Sequence, residues 1–131
     1  MSAPDYRGED LSAAQYRHIL DELAACGIRV VQITGGEPLI HPRFHELLDE
    51  IRQRDILLEA IYSNGRLVDE KLLDELEKRQ MRPAFHMSFD GVGWHDWMRG
   101  VDGAEEAVIR AFRLLHERGY ETSASHVPAQ A

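Results

Sequence analysis

The chain has 131 residues, of which 44% are apolar, 15 are basic and 23 acidic, for a net charge of −8. That length sets an expectation of one domain, and the apolar share is enough for a packed core rather than a disordered tail. The acid excess argues against nucleic-acid phosphate as a partner, which needs clustered Lys and Arg, and is read here as solubility.

Met1 to Tyr6 contain no basic region followed by an apolar run, so no signal peptide is expected. No stretch approaches the roughly 20 apolar residues of a membrane helix, and a cytoplasmic location is the simplest expectation. One cysteine, Cys26, excludes an intrachain disulfide and any cluster of thiols.

The first helix should open at Ser12, with Gln15 placed to close a capping box. Tyr16, Ile19, Leu20 and Leu23 then share one face, and Gly27 after Cys26 is a C′ residue. Arg29 to Thr34, rich in β-branched residues, predicts a strand. The second helix is expected to take His41 as its cap and Pro42 in its first turn, with Phe44, Leu47, Leu48 and Ile51 as its stripe. Leu57 to Tyr62 predicts the second strand, closed by a turn at Ser63-Asn64-Gly65. A third helix spans about Asp69 to Arg79, with Leu72, Leu73 and Leu76 inward.

Pro83 to Ser88 predicts the third strand, its proline at the start, where it breaks no ladder. Gly91 and Gly93 then punctuate a loop carrying Trp94, Trp97 and Arg99. Asp102 and Glu105 signal a capped helix with Ala104, Val108, Ala111 and Leu115 on one face. Gly119 follows that helix, Tyr120 to about His126 is the last strand, and Pro128 to Ala131 form a frayed tail. This alternation of strand and helix, at the spacing of one βα unit, implies a parallel sheet with right-handed crossovers. No repeat signature recurs between the units, which sets a solenoid aside.

In parallel α/β folds the functional loops follow the C-terminal ends of the strands. Here those ends carry Thr34-Gly35-Gly36-Glu37-Pro38, Ser63-Asn64-Gly65 and Ser88-Phe89-Asp90-Gly91, three small, polar or glycine-rich groups on one rim. Two glycines let a ligand touch the backbone carbonyls, and Pro38 stiffens the turn. Carbonyls together with the Glu37 carboxylate make an acceptor-only surface suited to an ammonium group. The alternative is an ordinary βα turn, in which the glycines merely permit a tight bend.

These motifs carry a resemblance. Thr34 to Leu39 resembles the GGEP motif of radical S-adenosylmethionine (radical SAM) enzymes. Ser63-Asn64-Gly65 is similar to their (T/S)NG turn, Ser88 to Gly91 to their S(L/I/F)DG strand end, and His95 to Gly100 to their HDxxRG segment, all in matching order and spacing. The resemblance implies a partial (βα) barrel of about four parallel strands with outer helices, and S-adenosylmethionine (SAM) as small-molecule cofactor. It implies that Gly35, Gly36 and Glu37 face the SAM amino group, that Thr34 also binds the cofactor, that Ser63 lies near it, and that Asn64, itself a cofactor-binding residue, and Gly65 shape the turn. Ser88 and Arg99 would hold the SAM carboxylate or ribose, and Asp90 would orient its loop. For Arg99 the residues alone also allow a loop–helix salt bridge.

The family's CxxxCxxC motif, which ligates a [4Fe–4S] cluster for reductive cleavage of SAM, is not present in this sequence. Asp5 to Ser12 resembles the segment that follows those cysteines. Residues 1–131 are therefore expected to be a partial core domain, lacking the cluster-binding first βα unit and the C-terminal units and inactive on its own. The HDxxRG segment suggests the branch with Cys-rich C-terminal extensions. Cys26 is expected as a small buried residue rather than a ligand, and His41, His45 and His86 as solvated or core histidines rather than metal ligands. Trp94, Trp97 and Met98 either line a substrate mouth or cover the open end of the sheet. A different class of function is also open: a non-catalytic binding or assembly module that pairs with itself or a complementing chain through the edge Arg29 to Thr34.

Overall fold

A computed structural model describes residues 10–126. Asp5 to Glu9 and the tail from Pro128, on which two of the expectations above fall, lie outside the described residues. In chain order the elements are α1 (Ala13–Ala25), β1 (Val30–Ile33), a short 3-10 helix (Pro38–Ile40), α2 (Phe44–Gln53), β2 (Leu57–Ser63) and α3 (Glu70–Lys78). Then come β3 (Ala84–Ser88), α4 (His95–Arg99), α5 (Ala104–Glu117) and β4 (Thr122–Ser125). The four strands form one sheet in the order β1-β2-β3-β4, every pair parallel. This is the parallel sheet expected from the alternation of strands and helices, and it agrees with the partial (βα) barrel that the resemblance implies.

Strand alternation sorts the side chains onto two faces. Leu58, Ile61, Phe85 and Met87 point into a core shared with Leu20 of α1, Leu48 and Ile51 of α2, Leu72, Leu73 and Leu76 of α3, and Val108, Ala111 and Leu115 of α5. The helices thus cover one face. Tyr62 pairs in register with His86, and His86 with Ser123, on the other face, which no helix among the described residues covers. Between Val31 and Gln32 the β1–β2 register shifts, so that Gln32 pairs with Ala60 and Glu59 becomes the extra residue. A bulge of this kind bends the strand and increases its local twist.

Local chemistry explains most element boundaries. Ser12 and Gln15 form the reciprocal capping box at α1, and the Asp69 side chain caps α3 by accepting from Leu72 N. Several expectations need correction. α2 starts at Phe44, not Pro42, because His41 terminates the 3-10 helix by donating its N–H to Pro38 O. His41 still guides the entry: its Nδ1 accepts from Arg43 N at 3.1 Å, and its Nε2–H donates to Tyr16 Oη at 3.1 Å.

The segment after Gly93 is not all loop, since residues 95–99 form α4. Asp102 does not cap α5. Asp96 of α4 does so, accepting from Glu105 N at 2.6 Å and Gly103 N at 2.8 Å, and these amides, the Glu105 N–H foremost, hold its carboxyl below the usual range. β1 and β4 are each shorter than expected, and Ile19 is 43% exposed rather than inward. Cys26, expected to be buried, is exposed at the end of α1.

Candidate functional site

The C-terminal ends of all four strands open into one cavity of about 410 Å³, a volume typical of small-molecule sites. From β1 onward the wall is Thr34, Gly35 and Gly36. From β2 it is Tyr62, Ser63, Asn64 and Arg66. β3 adds His86 and Ser88, β4 adds Ser125, and the α4 region adds His95, Arg99, Val101 and Ala104.

Of nine expected site residues, Thr34, Gly35, Gly36, Glu37, Ser63, Asn64, Ser88, Asp90 and Arg99, seven therefore meet around one space. The other two, Glu37 and Asp90, are not part of the wall. Each stands behind it and holds residues that are.

Gly35 takes φ of 143°, a conformation that disfavours any side chain. A Cβ built on Gly35 or Gly36 would meet nothing within 4 Å, so the backbone there borders open space. Behind this segment the Glu37 carboxylate accepts three hydrogen bonds. Oε1 accepts from Ser63 Oγ at 3.0 Å and from Leu39 N at 3.2 Å, and Oε2 accepts from Asn64 N at 2.7 Å. Ser63 is buried, and its Oγ in turn accepts from Gly65 N at 3.0 Å, while Asn64 Oδ1 accepts from Arg66 N at 3.0 Å. The loop after β1 and the turn after β2 are thereby tied through one carboxylate.

Asp90 does the same on the far side. Its side chain is 5% exposed, its Oδ2 accepts from Arg99 Nε at 2.7 Å, and His95 Nδ1 lies within hydrogen-bond reach of both Asp90 Oδ2, at 3.1 Å, and Asp90 N, at 3.2 Å. Arg99 is 41% exposed, and among the described residues its two terminal nitrogens make no hydrogen bond within the protein. A salt bridge and a free guanidinium edge thus coexist in one residue.

Tyr62, Arg66, His86 and Ser125 were not singled out for this site. The signal for His86 was available, since alternation from Ser88 places both on one face. Its neighbours were not legible, because the Tyr62 ring lies 4.7 Å from the His86 ring and Ser123 Oγ contacts His86 Nδ1 only through cross-strand register. Among the described residues, no three His, Cys, Asp or Glu side chains are grouped to hold a metal ion.

The profile described as "Radical SAM superfamily" matches residues 2–128. The chain belongs to the radical SAM superfamily. It is 29% identical to the antilisterial bacteriocin subtilosin biosynthesis protein AlbA of Bacillus subtilis over 90% of this chain and 26% of that protein. Identity is also 29% to a PqqA peptide cyclase of Granulibacter bethesdensis, over 92% of this chain and 32% of the relative. An Fe-coproporphyrin III synthase of Methanosarcina barkeri matches at 29% over 84% of this chain and 27% of its own length. The chain spans between a quarter and a third of these curated relatives.

Radical SAM proteins use SAM and a [4Fe–4S] cluster, and the two groups fare differently against these residues. SAM brings an ammonium, a carboxylate and ribose hydroxyls. The cavity answers with bare glycine backbone, hydroxyls and a guanidinium whose terminal nitrogens are free among the described residues, so SAM fits. The cluster does not. It needs several thiolates, and the single cysteine lies between α1 and β1, at the N-terminal end of the sheet and away from the cavity.

Proposed function

We propose that this chain binds SAM in the cavity at the strand ends, and that the protein it represents uses SAM as radical SAM enzymes do. In the intact protein that means reductive cleavage with a [4Fe–4S] cluster, applied to a peptide, a cofactor or a tetrapyrrole. The observation that carries the reading is the convergence of Gly35-Gly36, Ser63-Asn64, Ser88 and Arg99 on one space. Carbonyl oxygens of Thr34, Gly35 and Gly36 accept from the ammonium, which has three donors and no acceptor. The free edge of Arg99 takes the SAM carboxylate or a ribose oxygen, a charge-assisted contact, while Asp90 holds its Nε side.

Calorimetric titration tests this reading. SAM binds the wild type, and Arg99→Ala weakens binding on the order of tenfold, about 1.4 kcal/mol. Absence of wild-type binding refutes the proposal. This chain alone, reconstituted anaerobically with iron, sulfide and reductant, is expected to yield neither a stable cluster nor 5′-deoxyadenosine.

A second reading, an assembly module, is favoured by the outer edge of β1. That strand ends the sheet, and beside it lies a cleft of about 370 Å³ lined by Tyr16, Ile33, Pro38, Phe44 and Leu47, among others. An edge that is unpaired among the described residues, beside an apolar cleft, suits an added strand, from a second copy or a complementing chain. A monomer at all concentrations by sedimentation, with the β1 amides protected from exchange, defeats it.

A further inference from the structure

Glu37 belongs to the most recognisable motif in the chain, yet its carboxylate does not face the cavity that the motif borders. We infer that Glu37 is a positioning residue: its carboxylate locks the loop after β1 to the turn after β2, and SAM feels it only through the placement of Gly35, Gly36, Ser63 and Asn64. The inference rests on the cavity being the SAM site.

The geometry supports this division of labour. Glu37 Oε2 accepts from Asn64 N at 2.7 Å, and Oε1 accepts from Ser63 Oγ at 3.0 Å and Leu39 N at 3.2 Å. Two of these donors lie 26 and 27 residues away along the chain, so the bonds join separate βα units rather than stiffen one turn. Nothing else among the described hydrogen bonds links these two loops. The ladder between β1 and β2 ends with Ile33 opposite Ile61, and beyond it the carboxylate continues the connection. Ser63 then passes the constraint on, because its Oγ also accepts from Gly65 N at 3.0 Å.

A carboxylate oriented in this way acts as an acceptor hub, not as a counter-charge. The distinction has consequences for substitution. Glutamine keeps the link between the two loops, with Oε1 accepting from Asn64 N and Nε2–H donating to the lone pair that remains on Ser63 Oγ, and gives up only the bond from Leu39 N within its own loop. It abolishes the negative charge. Alanine removes both.

The test compares Glu37→Gln and Glu37→Ala in titrations with SAM and with 5′-methylthioadenosine, the same nucleoside thioether without the amino-acid portion. Amide exchange at Asn64 and Gly65 is followed in each protein without ligand. A positioning role gives Glu37→Gln near-wild-type protection and affinity for both ligands, within about threefold. It gives Glu37→Ala fast exchange at Asn64 and losses of about tenfold or more for both ligands alike. The inference is overturned if Glu37→Gln loses SAM as severely as Glu37→Ala while both retain 5′-methylthioadenosine, the signature of direct charge pairing with the ammonium. It is equally overturned if Asn64 exchange is unchanged in Glu37→Ala. Failure of the wild type to bind either ligand sinks the SAM reading instead, and the exchange data still decide whether Glu37 ties the loops.

Discussion

The two faces of the sheet are built from opposite materials. Toward the helices point Leu58, Ile61, Phe85 and Met87, each almost wholly withdrawn from solvent. Toward the open side, on the same strands, point Gln32, Tyr62, His86, Ser88, Ser123 and Ser125, polar and at least partly exposed. A parallel sheet ordinarily buries both faces and reads as continuous apolar runs. Here one face holds the chain together, and the other, uncovered among the described residues, is polar toward the C-terminal strand ends and carries exposed Val30 and Leu57 at the N-terminal ends. The strand ends, where the two faces meet, carry the cavity.

Substitutions on neighbouring positions of β3 sharpen that contrast. Phe85→Ala removes a fully buried ring and is expected to cost about 3–5 kcal/mol in urea unfolding. Gly65→Ala tests the junction. Its φ is 79°, and an added Cβ would sit 3.0 Å from Met87 Sδ and 3.1 Å from Val108 Cγ2. Strain and overlap together should cost about 1–3 kcal/mol and displace the Ser63–Asn64 turn, so SAM affinity should fall with stability.

The outer surface of the helical layer contributes a smaller, pH-dependent part. Lys78 and Arg79 hold the Glu75 carboxyl down to about 2, and Arg118 holds Glu77 below the usual carboxylate range. A folded value beneath the unfolded one gives stability that is fully present above the unfolded carboxylate range. That stability is lost as pH falls toward the folded value. Urea midpoints measured from about pH 6 to about pH 3 should therefore decline, with a shallower slope in Glu75→Gln; parallel slopes would sink this assignment. The smallest effect is expected on the open face, where His86→Ala should shift stability by no more than about 0.5 kcal/mol. Should it rival Phe85→Ala, the two faces are not divided as described.

Two carboxylates teach a related lesson. From their motifs Glu37 is expected among the residues that face the cofactor, and Asp90 is expected at the site as the residue that orients its loop. In the folded chain each lies one layer behind the wall, accepting hydrogen bonds from residues that line it. Motifs name the positions that a site requires. They do not say whether a side chain touches the ligand or supports a neighbour that does.

The sequence by itself determined the alternation of strands and helices, the capping box at Ser12, the start of the third helix near Asp69, and three strand ends that share one rim. These follow from periodicity, turn chemistry and local hydrogen bonding, which act over a few residues. Only the tertiary structure decided that Asp96 rather than Asp102 caps α5, that His41 closes a 3-10 helix before α2 begins, and that Tyr62 stacks on His86. It alone placed Glu37 against Ser63 and Asn64. The reason is physical: each of those choices depends on how strands pair and loops meet across the sheet, and cross-strand register is set by packing of the whole core rather than by neighbouring residues.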